Sequence, residues 1–545
     1  MLMHIRKTVI GLTLLILIPF VLFAGGSKES GTTAGKPVEQ KLTFALQNEP
    51  DGLDPGITNN SFASPILFNA FEGLVVYDEN NSIIGGSAKS WEISADGLTY
   101  TFHLRDNLKW SDGTPLTADD FVYSYLRILD PALGAQYTEM ITDYVVGAAD
   151  YYAGSADASS VGIKAKDDST LVITLKQPTA YYLGIVGMWV YSPVNETTVT
   201  ANGERWTLSA DTFVSNGPFK MKKITFGEGY QMVKNEHYWN ADNVRLQELN
   251  FRFIPDPSTA LVALDNGDID GQWEIPSADL PNLKANSDAL QIVPSYGTTY
   301  YEVNTTKAPY NDPRVRRALS MALDRTALIE NVLQSTDQPA FSLIAPGYSV
   351  DGVAYETGRP NYGLSPTADV EGARALLAEA GFPGGAGFPT LELSYYTNEA
   401  VKSIVEAMQQ MWEENLGIKV RVSTEEWAVY YENIQALNYE IGAMGWGADY
   451  MHPMTFFPLR LSDGVGNNSG WGNPEYDSLV SQAQAETDPA KAVALMRAAE
   501  DIMMAEMPLI PLYFRSSPKM MAPYVKGWYI TPLNNMYLSG AYIKK

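Results

Sequence analysis

The feature that most restricts this chain is a strand handing over to a capped helix, a pattern that recurs along its length without a short internal repeat. Leu98 to Leu104 (LTYTFHL) alternates, placing Leu98, Tyr100, Phe102 and Leu104 on one face of a predicted strand. Thr117 then stands as an N-cap, acids at Asp119 and Asp120 fill the first turn, and Phe121, Tyr125 and Leu129 follow at helical spacing. Further strands are predicted at Lys41 to Leu46, Thr170 to Lys176 and Ile418 to Val422. Further helices are predicted from Asp312-Pro313 through Leu323, over Asp369 to Ala380, over Ile404 to Leu416 with Gly417 as the stop, and over Ala490 to Met507. An apolar stretch, Leu509 to Phe514, follows the last of these. Helix, glycine, strand is the grammar of an α/β layer, and the lack of a repeat argues against solenoids and propellers. A length of 545 residues predicts two large domains or about three smaller ones.

The first residues read as an export signal. His4, Arg6 and Lys7 make a basic start, Val9 to Phe23 is apolar, and Ala24 offers a small residue before Gly25. The apolar run is about 15 residues, short of the roughly 20 that span a hydrocarbon core. Cleavage after residue 24 is therefore expected, with retention as an anchor the alternative. Residues 25–40 are expected to be a flexible leader. The sequence has no cysteine, which removes disulfides, thiolate zinc sites, a cysteine nucleophile and lipid attachment to cysteine. A soluble, periplasmic or otherwise extracytoplasmic protein, not lipidated on Cys, is expected.

Acidic residues outnumber basic ones, 63 to 38, for a net charge of −25. That balance argues against a nucleic-acid partner, which needs a basic footprint. No phosphate-cradling G-x-x-x-x-G-K-[ST] loop and no G-x-S-x-G elbow is present. The four histidines include no i,i+4 pair. His103 and His237 read as structural, and His452 as a residue that could line a cleft. So many acids make chance carboxylate pairs, but no catalytic residue, metal site or cofactor is predicted.

Several segments, taken in order, carry a family resemblance. They are FEGL (Phe71 to Leu74), AKSW (Ala88 to Trp91), LTYTFHLRDNLKWSDGTPLTADDFVYSY (Leu98 to Tyr125), SNGPFK (Ser215 to Lys220) and KNEHYW (Lys234 to Trp239). VNTTKAPYNDPRVRRAL (Val303 to Leu319), LLAEAGF (Leu376 to Phe382) and GWGADY (Gly445 to Tyr450) continue the series. Together they resemble the extracytoplasmic solute-binding proteins of peptide ABC transporters, the oligopeptide- and dipeptide-binding family (solute-binding family 5), over about residues 41 to 545. The resemblance implies an α/β fold, a two-lobed periplasmic-binding-protein clamp with an extra domain on one lobe, three domains in all. Lobe I would comprise 41–70, 195–296 and 516–545, the extra domain 71–194, and the other lobe 297–515. It also implies a monomer that enzymatically does nothing itself. It would capture oligopeptides between its lobes and deliver them to the permease subunits of an importer in the inner membrane.

A receptor for varied peptides must hold what all peptides share, the main chain and the α-ammonium. Main-chain groups can be paired as in an added strand, and an ammonium needs a fixed carboxylate. In the family the Asp of the GWGADY motif binds the peptide amino end, which here is Asp449. Gly445 and Gly447 would let backbones approach and Trp446 would supply an apolar wall. By position, Ser61 and Phe62, in the stretch Asn60 to Phe62, match the segment that pairs with the peptide backbone, and Tyr137 and Trp427 match cleft aromatics. One departure stands out. Positions where close relatives carry Arg read Ala443 and Ile434 here, and a His position aligns on Val401. The anchor for a peptide's carboxylate is thus expected to be missing or elsewhere. Two other functions stay open: the same fold with a nickel chelate, haem, opine or oligosaccharide as ligand, and, more remotely, a secreted hydrolase.

Overall fold

The strand expected over Lys41 to Leu46 forms as β1 (Lys41–Leu46), and the short helix α1 (Ser64–Ala70) follows it. The computed structural model describes residues 38–59, 62–464 and 466–545; the expected signal 1–24, the expected leader up to residue 37, and Asn60 and Ser61 lie outside them. From Glu39 onward the chain forms one compact unit.

After α1 the chain builds an antiparallel four-stranded sheet from β2 (Ala88–Ile93), β3 (Thr99–Leu104), β4 (Ile163–Asp167) and β5 (Thr170–Thr174), in the order β2-β3-β5-β4. The alternation read from the sequence is realised on β3, whose Tyr100, Phe102 and Leu104 are buried. Helix α2 (Ala118–Ile128) starts where Thr117 predicted it should. The Asp120 carboxylate accepts the Thr117 backbone N–H at 2.7 Å, and caps of this kind contribute about 1 kcal/mol. Phe121 and Tyr125 of α2 join the β3 residues in one buried cluster. A bidentate pair ties the far end of α2 to the loop after β1: Arg127 donates to both oxygens of Asp54, at 3.0 and 2.6 Å.

The remaining strands complete an eleven-stranded mixed sheet. They are β6 (Phe219–Thr225), β7 (Gly229–Lys234), β8 (Glu248–Phe253), β9 (Gly271–Gln272), β10 (Leu290–Val303), β11 (Leu391–Tyr396), β12 (Val420–Glu425), β13 (Ile441–Gly447) and β14 (Leu509–Met521). The order is β12-β11-β13-β10-β14-β9-β1-β8-β7-β6, with Gln338–Pro339 on β14. Two long strands, β10 and β14, lie at its middle, paired antiparallel. The crossings expected near 297 and 515 fall inside these two strands.

Helices α3 (Pro313–Met321), α4 (Val370–Glu379), α5 (Glu399–Leu416), α6 (Trp427–Gln435) and α7 (Pro489–Glu506) belong to the second half. Residues of α3, α4 and α5 share a core with β10, β11 and β13, whereas α1, β1 and β8 share another. A third core joins the four-stranded region to the second half of the chain. There the Tyr181 ring stacks on Tyr450, 5.2 Å between centroids and 8° between planes, and on His452 at 5.1 Å. Inside the main sheet Arg460 and Glu302 form a fully buried ion pair at 2.8 Å, with the guanidinium over Tyr300. Among the described residues no helix is long and apolar enough to cross a membrane.

Candidate functional site

Strand β13 leads directly into the GWGADY segment. It pairs with β10 along its whole length, from Val303↔Ile441 to Gly297↔Gly447, but with β11 only at Ile441 and Gly442. Among the described residues, Ala443 to Gly447 thus have no strand partner on the β11 side. Such an edge offers main-chain donors and acceptors to an extended ligand.

Asp449 follows just past the end of β13. Its backbone N–H donates to the Thr455 hydroxyl at 3.2 Å, and that hydroxyl donates to its carboxylate at 3.3 Å. A carboxylate can accept about four hydrogen bonds, so most of this capacity is unused. Asp449 lines a cavity of about 130 Å³ together with Ser64 and Phe68 of α1, Tyr77, Tyr137, Trp189 and Asn534. The wall therefore comes from five separated parts of the sequence. Trp189 is fixed by donating to the Thr58 carbonyl at 3.0 Å, and the rings of Phe68 and Tyr137 meet it edge-on at 6.2 and 5.8 Å. Burial pushes the Asp449 carboxyl up to about 6, and the nearby charge of Glu139 pushes the same way. Burial also raises Glu139, and it pushes the Tyr137 hydroxyl up to about 12 with help from Asp449 and Glu139. Glu139 itself is exposed and does not line the cavity, but its charge adds to burial in disfavouring the ionised form of Asp449.

The other residues singled out in the sequence are distributed around this point. Gly447 has open space where a side chain would begin. Gly445 does not: that space is taken by the guanidinium of Arg515. Trp446, half-buried, packs against the core that contains Tyr296 and Tyr348, and its indole N–H has no partner among the described residues. Phe62 packs half-buried against the core around β1. Trp427, half-exposed on α6, stacks on Tyr431 at 5.3 Å and meets Tyr396 edge-on at 5.0 Å, and does not line the Asp449 cavity. His452 lines a neighbouring cavity of about 440 Å³ with Tyr77, Tyr181 and Tyr348, and burial holds its imidazole down at about 3. Among the described residues no cluster of three or more metal-ligating side chains occurs.

Sequence reasoning missed Glu139, Trp189 and Arg515. The proximity of Tyr137 in sequence was the only signal for Glu139. The other two depend on contacts between distant segments.

Known proteins resemble this chain over most of its length. The model of bacterial extracellular solute-binding proteins, family 5, matches residues 82–468. The chain belongs to that family. The oligopeptide-binding protein OppA of Bacillus subtilis is 33% identical over 547 residues, covering 98% of each chain. Among solved structures, the unliganded open form of the periplasmic murein tripeptide-binding protein MppA superposes with a TM-score of 0.80 at 32% identity, covering 93% of this chain and 98% of that one. The Haemophilus influenzae OppA complex with RPPGFSPFR gives 0.73 at 30% identity, covering 93% and 99%. This family member thus has the α/β, two-lobed architecture of periplasmic peptide-binding proteins, built on one large mixed sheet.

Proposed function

We propose that this chain is the substrate-binding subunit of an ABC importer, capturing oligopeptides in an interlobe cleft and handing them to a membrane permease. The observation that carries the reading is the Asp449 carboxylate, held in a small aromatic cavity beside Glu139 and next to the unpaired edge of β13. A peptide supplies both complements: an ammonium for the acids and a main chain for the edge. The relatives named above, one of them solved with a peptide, support the same ligand class.

In this reading lobe I is 41–70, 195–296 and 516–545, the extra domain is 71–194, and lobe III is 297–515. Bending of β10 and β14 would let the lobes close on ligand, and ligand would act by shifting an open–closed equilibrium. The chain acts as a monomer outside the cytoplasm, exported by residues 1–24, without lipid on cysteine and without a nucleic-acid partner. It catalyses nothing; ATP hydrolysis belongs to separate subunits.

A neutral sugar leaves both acids unpaired, and an anionic chelate is repelled by them, so the site chemistry favours the peptide over the other ligands of this fold. Native mass spectrometry of the freshly purified protein tests the reading. Intact short peptides released on denaturation are expected. A bound sugar or metal chelate would replace the ligand class, and peptide fragments appearing during incubation with a peptide mixture would point to a hydrolase.

A further inference from the structure

The peptide reading makes no use of His452 or of the cavity it lines. That cavity, about 440 Å³, has the size of a small-molecule site. Tyr77, Trp91 and Tyr181 bring its walls from the first half of the chain, and Tyr296, Tyr348 and His452 from the second. Tyr77 and Gly184 also line the Asp449 cavity, and the Tyr77 hydroxyl donates to the Gly184 carbonyl at 3.4 Å, so these two residues stand between the two spaces. Aromatic rings dominate the inner wall, with Tyr296 and Tyr348 only 3.9 Å apart between centroids. The outer rim is polar and uncharged at the exposed Asn80, Asn81, Ser82 and Ser349. Among the described lining residues Asp351 is the single acid, and no Lys or Arg occurs.

Two buried polar groups in this wall lack partners among the described residues. One is the hydroxyl of Tyr348, a residue 1% exposed; the other is Nε2 of His452, a residue 8% exposed. The Met454 backbone N–H donates to His452 Nδ1 at 3.1 Å, which leaves the proton of the neutral ring on Nε2. Nε2 is therefore a donor without an acceptor, while the Tyr348 hydroxyl can give or take a hydrogen bond. Native proteins rarely leave such groups alone in their interiors, and two in one cavity wall call for a partner that completes them.

The lining restricts what that partner can be. An anion meets no cation here and is opposed by Asp351. A quaternary ammonium suits the aromatic faces but offers the His452 N–H nothing to bind. A sugar ring meets every requirement: oxygens that accept from Nε2, hydroxyls that pair with Tyr348 and the asparagines, and C–H faces that cover aromatic rings. We propose that this cavity is a second ligand site, taking a neutral sugar alongside the peptide held at Asp449. The site goes beyond the peptide reading and stands independently of it.

The test is calorimetric titration of the mature protein with glucose, N-acetylglucosamine and maltose, with and without saturating trialanine. At least one sugar is expected to bind under both conditions. Tyr348→Phe removes a hydroxyl without a partner in the free protein, so the melting temperature should hold or rise while sugar affinity falls about 5- to 10-fold. Asn80→Ala, at the exposed rim, should weaken the same sugar by roughly 5-fold without changing the melting temperature. Trialanine affinity should be equal in the parent and both variants. Failure of all three sugars to bind, or a sugar affinity unaltered in both variants, overturns the proposal. Tetramethylammonium binding where the sugars do not would overturn it too, making the cavity a cation cage. A sugar that competes one-for-one with trialanine would lie in the peptide site and likewise contradict a second one. Sugar binding by a protein that ignores trialanine would sustain this site and remove the peptide reading.

Discussion

At the scale of single residues, the proposed function concentrates on one carboxyl group. In the ligand-free protein Asp449 is raised to about 6 by burial and by Glu139. A carboxyl raised on folding is protonated across the window between its ordinary value and about 6, and an ammonium ligand binds the ionised form. Affinity should therefore climb as pH rises through about 6, level off near 7, and fall again only when the ligand's α-amino group loses its proton near 8. Titrations from pH 5 to 8 check this, and in Asp449→Asn the rise through 6 should vanish. Asp449 stood out in the sequence as a site candidate through the family resemblance of its GWGADY motif, with the flanking glycines and Trp446 as supporting features. Glu139 did not, since nothing local distinguishes it among 63 acids. Arg515, whose guanidinium takes the space over Gly445, was hidden for a different reason. Its place there depends on cross-strand register, whereas Gly445 alone reads as clearance for the ligand.

At the scale of elements, sequence patterns located the helices and strands and misplaced some of their ends. α5 begins at Glu399 instead of Ile404, because Asn398 caps it by accepting the Val401 N–H at 3.1 Å and its first turn is too exposed to show apolar periodicity. β12 runs over Val420–Glu425, shifted from the expected Ile418 to Val422, since pairing with β11 starts at Leu391↔Val420. Strand ends are set by partners, helix starts by caps. The apolar stretch after α7 gave only the first half of β14, whose second half, containing Arg515 and Lys519, is more polar. The Arg460–Glu302 pair under this sheet gives a stability test. Arg460→Met leaves a buried carboxylate without its counter-charge and should cost about 3–5 kcal/mol, whereas the double variant Arg460→Met/Glu302→Leu should recover most of that loss. Urea denaturation of the three proteins measures both effects, and a single variant as stable as the parent would show that the pair is not isolated from water.

At the scale of the whole molecule, the order of family segments along the chain disclosed the architecture, while composition alone argued against a nucleic-acid partner without naming any other. What could not be read was how the parts meet. The stack of Tyr181 on Tyr450 and His452, and the cavity walls drawn from α1, Trp189 and Asn534, join segments that no local pattern links. The same convergence defines the central claim, that the molecule holds its ligand by a charged amino end. Titration of the mature protein with a single tripeptide and with its N-acetylated form tests this most directly. The account predicts roughly 100-fold weaker binding for the acetylated peptide, since acetylation removes the ammonium and leaves Asp449 without a partner; equal affinities for the two would contradict it.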